Sequence, residues 1–213
     1  MYKTVLFDLD GTLTDPGEGI TNSVVYALQK FGISVTDKTV LYKFIGPPLK
    51  DSFMKYYGFS ESDALLAIDY YREYFGDKGI FENSVYNGIP QLLEKIKNSG
   101  HKVLLATSKP YKYAAEILKH FDLYKYFDFV GGATMDETRN KKADVIDYVL
   151  NSCDIKCLSD VIMVGDREQD ITGAKQNGID SIGVLFGYGD YDELTTAGAT
   201  YIAKSVDNIL KYL

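Results

Sequence analysis

Asp8 and Asp10 stand one residue apart in FDLDGT, directly after a short apolar run that begins at Tyr2. Two carboxylates at the end of a buried strand repel one another unless a cation or a substrate needs both. Asp166 and Asp170, in GDREQD, follow a second apolar run, Val161 to Gly165. Oxygen ligands from two strand ends can converge on one hard cation, and carboxylates, carbonyls and waters without His or Cys suit Mg²⁺. A carboxylate can also attack phosphorus to form an aspartyl phosphate, while a second protonates the leaving oxygen and later deprotonates the attacking water. Asp-Gly is in addition an ordinary turn signal, but two aspartates in DLDGT after a buried strand ask for more than a turn.

Thr107 and Ser108 close a third apolar run, which starts at Lys102, and come before Lys109-Pro110. A hydroxyl and free backbone N–H groups would then lie where a helix begins, which is an anion site; plain capping of that helix is the competing reading. Lys141 and Lys142 precede a helical face of Val145, Ile146, Val149 and Leu150. Either lysine could neutralise phosphate charge and the aspartate cluster.

Other chemistries find little support. Cys153 and Cys157 do not form a CxxC pair, and no arginine lies six residues after either. With His101 and His120 the only histidines, neither a zinc site nor a histidine nucleophile is indicated. A net charge of −7 argues against non-specific binding to nucleic acid or to an anionic membrane. No long apolar run and no signal-peptide pattern is present, so a cytoplasmic location is expected.

These residues need a scaffold, and the chain of 213 residues is long enough for one domain carrying a smaller insert. Tyr2 to Leu9 reads as a buried strand. From Asp15 to about Gly79 the signals are helical, opened in turn by Asp15-Pro16-x-Glu18, Thr36-Asp37, Pro47-Pro48 and Ser60 to Asp63. After about Phe81, helices and strands alternate: helices around Ile89 to Ile96, Ala114 to Phe121, Val145 to Leu150 and Val206 to Leu213, another ending near Gly178, and strands at Lys102 to Thr107, Phe127 to Val130, Val161 to Gly165, Asp180 to Val184 and Ala199 to Ile202. The expected fold is α/β, a Rossmann-like parallel sheet with helices on both faces, plus a small all-helical cap inserted after the first strand. The core would be residues 1–15 and 81–213, and the cap 16–80. Ligands of such sheets bind beyond the carboxyl ends of the strands, where Asp8, Asp10, Thr107, Ser108 and Asp166 all fall.

DLDGTLTD from Asp8, ATSK around Thr107, a lysine before VI, and GDREQD from Asp166 together resemble the four ordered motifs of haloacid dehalogenase-like phosphatases, over essentially the whole chain. NGIPQLLEKIKNSGHKVLLATSKP and GPPL are similar to the phosphoglycolate phosphatase branch. The resemblance implies Asp8 as nucleophile and Mg²⁺ ligand, and Asp10 as acid/base that also offers its backbone carbonyl to the metal. It implies Asp166 as a direct or water-mediated ligand supported by Asp170, Thr107 and Ser108 as phosphoryl binders, and Lys142, or else Lys141, as the motif lysine. Asp10 favours a phosphatase over a carbon dehalogenase. The implied partner is a small phosphorylated metabolite, phosphoglycolate-like as a first expectation. A 5'-nucleotidase, a pyrophosphatase, a sugar phosphomutase and a non-enzymatic binding protein are the alternatives. Within the cap, Lys50 and Arg72 are candidates for a substrate carboxylate. Tyr70, Tyr71, Tyr74 and Phe75 suit helix packing better than nucleobase stacking.

Overall fold

The computed structural model describes residues 2–213. It divides into two compact units, one made of the residues up to Thr14 together with Val85–Leu213, the other of Asp15–Ser84.

The larger unit is built on a six-stranded parallel sheet. Its strands are β1 (Thr4–Phe7), β4 (Lys102–Pro110), β5 (Phe129–Ala133), β6 (Val161–Gly165), β7 (Asp180–Val184) and β8 (Tyr201–Ala203), in the order β5-β4-β1-β6-β7-β8. The remaining strands, β2 (Thr14–Asp15) and β3 (Ser84–Val85), form a separate two-stranded sheet at the points where the chain passes between the units. The central strands are apolar on both faces because helices cover both, as in other all-parallel sheets. On one face Leu6, Leu104, Ala106 and Met163 pack against Val145, Ile146, Val149 and Leu150 of α6 (Lys142–Ser152) and Ala174 of α7 (Glu168–Gln176). This is an α/β Rossmann-like fold.

The register sets the site. Phe7 pairs with Leu105 on one side and Val164 on the other, so Asp8 leaves the sheet level with Ala106 and Gly165, and Thr107 and Asp166 follow one residue further on. The strand order also reverses around β1: the chain runs outward from it to β4 and β5, then returns to its other side at β6. Such a reversal opens a crevice at the carboxyl ends of the neighbouring strands.

Several local expectations shift. β4 continues to Pro110, so Thr107 and Ser108 lie within a strand and not at a helix start; α5 (Tyr111–His120) begins only after Pro110. The physical reason is that Pro110 sets the helix boundary, since it lacks an N–H and pushes the residue before it into extended geometry. β5 lies two to three residues later than the expected Phe127 to Val130, and the terminal helix at Val206–Tyr212 is of the 3-10 type. In the smaller unit, α1 (Gly17–Lys30) has Pro16 at its cap position, while the Asp15 carboxylate accepts the Gly17 N–H at 3.0 Å.

The smaller unit contains α1, a 3-10 segment Lys38–Phe44, α2 (Leu49–Tyr57), α3 (Glu61–Tyr74) and a π turn Phe75–Gly79. Glu82 belongs with it: its backbone carbonyl accepts from Gly19 N–H, and its carboxylate accepts from Asn22 and the Tyr74 hydroxyl. Tyr71 stacks on Phe75, Tyr70 packs edge-on to Phe31 and Tyr74 lies against Tyr26, so all four rings of the aromatic group engage neighbours inside this unit. Lys50 pairs with Glu61 at 2.9 Å.

Candidate active site

Asp8 is buried at the end of β1, held by its own N–H donating to the Val164 carbonyl at 2.9 Å. Asp166 follows β6 and is fully buried; its Oδ1 accepts from the Thr12 hydroxyl at 3.2 Å and its Oδ2 from the Tyr188 N–H at 2.8 Å. Asp170 sits in the first turn of α7, where its Oδ2 accepts the Arg167 N–H at 3.1 Å. A carboxylate is favoured there by the helix dipole as well as by that hydrogen bond. Ligand oxygens of Asp8, Asp166 and Asp170 all lie within 4.8 Å of one another.

Two glycines make this closeness possible. Gly11 turns the chain with φ +81°, and a Cβ there would stand 2.1 Å from Asp166 Oδ2. A Cβ on Gly165 would stand 2.1 Å from Asp170 Cγ. Any side chain at either position would push the carboxylates apart.

Lys142 is the first residue of α6 and is buried, whereas Lys141 beside it is exposed. A cation at a helix N-terminus opposes the dipole, and burying it costs more still. What holds it is its surroundings: Nζ lies 2.7 Å from Asp8 Oδ1 and 2.8 Å from Asp170 Oδ1, and donates to the Ala106 carbonyl at 3.1 Å. Burial alone would lower the Lys142 pKa; Asp170 and Asp8 outweigh it and hold the ammonium firmly protonated. Both contacts are short ion pairs, and among the described residues neither Oδ1 has a partner besides Lys142.

Thr107 is buried in β4, and its hydroxyl oxygen accepts the Lys109 N–H at 3.2 Å, which leaves the hydroxyl proton for another acceptor. Ser108 is half-buried beside it. Asp10 stands apart from the three-carboxylate group: its Oδ2 pairs with Lys109 Nζ at 2.6 Å. Burial pushes the Asp10 carboxyl up, Lys109 opposing it. Sequence reasoning gave Lys109 no role. Period-two alternation along β4 was the available signal, because it puts Lys109 on the same side as Thr107.

The cluster is short of positive charge. Among the described residues, Asp8, Asp10 and Asp170 form ion pairs with Lys109 and Lys142 alone and Asp166 forms none, so in the fully ionised site four carboxylates share two directly paired cations, with Arg167 acting on Asp166 from further off. The carboxyls respond: Asp170 is pushed up to about 6, first by burial and then by Asp8 against the opposing pull of Lys142, and Asp166 is pushed well up by burial, Asp170 and Asp8. All the donors are oxygens, and within the Asp8, Asp166 and Asp170 group the Oδ1 atoms of Asp8 and Asp170 have no partner besides Lys142 among the described residues. This set fits a hard divalent cation such as Mg²⁺.

The family model described as haloacid dehalogenase-like hydrolase matches residues 5–184. The chain belongs to this family. A crystal structure of a predicted phosphatase from Clostridium acetobutylicum superposes on this haloacid dehalogenase-like hydrolase with a TM-score of 0.97, at 54% identity over 100% of this chain and 98% of that one. A Pseudomonas aeruginosa protein named 5'-nucleotidase is 46% identical over 94% of this chain and 90% of its own length. The tyrosine-protein kinase PtkA of Mycobacterium tuberculosis is 35% identical over 99% of this chain and 72% of its own length. Proteins named phosphoglycolate phosphatase and pyrophosphatase are also among the relatives. Membership thus gives a phosphatase-type hydrolase, and the relatives vary in what they act on. Among the described residues, no helix is long and apolar enough to cross a membrane.

Proposed function

We propose that this chain hydrolyses small phosphomonoesters with Mg²⁺, through an aspartyl phosphate on Asp8. The observation that carries the proposal is the buried Asp8 carboxylate at the end of β1, beside Lys142 Nζ at 2.7 Å and within a three-carboxylate group. Asp8, Asp166 and Asp170 would hold the metal, together with the backbone carbonyl of Asp10. Bound there, the cation supplies charge neutralisation that lets an anionic phosphoryl group approach an anionic nucleophile. Lys142 fixes Asp8 and offsets its charge, and Thr107 and Ser108 donate to phosphoryl oxygens. As the Asp8 oxygen bonds to phosphorus, the ester P–O bond breaks and Asp10 gives its proton to the leaving oxygen. Asp10 then takes a proton from the water that attacks phosphorus, and the P–O bond to Asp8 breaks to restore the free carboxylate and release phosphate.

For the leaving group, a nucleoside is the better reading than glycolate, supported by the 46% identity over 94% of this chain to a protein named 5'-nucleotidase. Phosphate release should be followed across nucleoside 5'-monophosphates, phosphoglycolate and pyrophosphate, with and without Mg²⁺. The highest kcat/KM is expected on a nucleoside monophosphate, and chelation should remove it. Highest kcat/KM on phosphoglycolate would return the substrate to the sequence-based expectation. A hexose phosphate with its bisphosphate is added to the panel, and its isomerisation without net phosphate release would replace hydrolysis by a mutase.

The raised carboxyls give a second test. Asp170 holds its proton up to about 6 when folded against an ordinary 3.8, so the metal-free fold binds protons more tightly than the unfolded chain. Its contribution to stability is therefore greatest below 3.8, declines as pH rises towards 6 and stays low above. Mg²⁺ competes with those protons. The rise in Tm on adding Mg²⁺ is expected to be several degrees at about pH 7.5 and much smaller at about pH 5. An equal rise at both pH values would contradict binding at these carboxylates.

A further inference from the structure

The geometry points to Lys109 as a positioning residue that aims the Asp10 carboxyl for proton transfer, an inference that rests on the acid/base role proposed above. Lys109 lies near the end of β4, buried, and reaches across to the end of neighbouring β1, where its Nζ meets Asp10 Oδ2 at 2.6 Å. Its own backbone is pinned by the N–H bond to the Thr107 hydroxyl, so the ammonium extends from a fixed point of the sheet. The two oxygens of Asp10 are thereby made unequal. Oδ2 is tied to the lysine, while Oδ1 is buried and has no hydrogen-bond partner among the described residues.

A buried ion pair kept for stability alone would be expected to satisfy both carboxylate oxygens, because each one left dry is costly. Here one oxygen is held and the other left open, which is the arrangement a proton donor needs: one oxygen sets the plane of the group, the other carries the proton. The tether has a second effect. Asp10 is two residues beyond Asp8, a member of the charge-poor cluster, and without Lys109 its carboxylate would be free to swing towards the cation that Asp8, Asp166 and Asp170 are placed to hold. Lys109 keeps the acid/base on the leaving-group side.

The test exploits leaving groups that do and do not need a proton. Lys109→Met keeps the length of the stem and removes the charge. On an alkyl phosphomonoester such as a nucleoside 5'-monophosphate, kcat is expected to fall about 10²- to 10³-fold with KM changed far less, as for loss of general-acid catalysis. On p-nitrophenyl phosphate, whose phenolate leaves unprotonated, the fall should be under about tenfold, because the step that needs the proton is bypassed. Lys109→Arg should recover part of the alkyl rate, and it serves as the informative variant if Lys109→Met does not fold. Asp10→Asn is the reference and should show the same split between substrates. Equal losses on both substrates, or no loss on either, in a folded Lys109 variant would overturn the inference. Should Asp10→Asn itself lack the split, the acid/base role fails; should it show the split while Lys109→Met does not, only the tether fails.

Discussion

Asp8→Asn is expected to lower kcat by at least about 10⁴-fold while the protein stays folded, since an amide cannot form the acyl phosphate and nothing else in the site replaces it. Other groups cannot compensate: Asp10 is paired with Lys109, Asp166 is held by Thr12 and the Tyr188 N–H, and Asp170 is held by the Arg167 N–H. The substitution also removes one buried charge from a cluster that has too many, so stability without metal should be retained or raised. Steady-state phosphate release and a thermal melt on the same sample check both halves. Activity within about tenfold of the parent would remove Asp8 from the chemistry.

The second large effect is on stability. Lys142→Met keeps the aliphatic stem but leaves Asp8 and Asp170 facing each other without their shared cation. Removing one partner of a buried ion pair costs about 3–5 kcal/mol. The loss should be read by urea unfolding in the absence of divalent ions at neutral pH. It should shrink when Mg²⁺ is added, because a second cation then occupies the same neighbourhood, and when the pH is lowered, because the carboxyls can take protons instead. A loss under about 1 kcal/mol in metal-free buffer would mean that Lys142 holds little of the site together.

Much of the fold and the makeup of the candidate site were readable beforehand because the candidate residues sit at the ends of the most regular elements. A fully buried parallel strand has a plain signature, a short apolar run, and both Asp8 and Asp166 come immediately after one. Lys142 was legible as one of two lysines before an apolar helix, and the choice between them needed the burial of one and the exposure of the other. Lys109 was not legible because the apolar run ends before it: Pro110 looks like the start of a helix, and the strand's continuation to Pro110 shows only in its pairing with β5. The same edge hid the end of β5, where Gly131 and Gly132 resemble a turn. In the structure they extend the strand, since a Cβ on Gly132 would come within 2.8 Å of the Lys109 carbonyl oxygen. Strand order could not be read at all, because it depends on which apolar runs pair across long sequence separations. The two-residue strands β2 and β3 are too short to show any period.

The central claim is that phosphate passes through Asp8, and one measurement addresses it directly. The enzyme with Mg²⁺ is mixed with a phosphoryl-labelled nucleoside monophosphate, quenched in acid during turnover, digested and mapped. The account predicts label on the peptide that contains Asp8, stable in acid and released by mild base or hydroxylamine as an acyl phosphate is, and absent from Asp8→Asn. Label on a different residue, or turnover at full rate with no enzyme-bound phosphoryl group in the quenched samples, would contradict it.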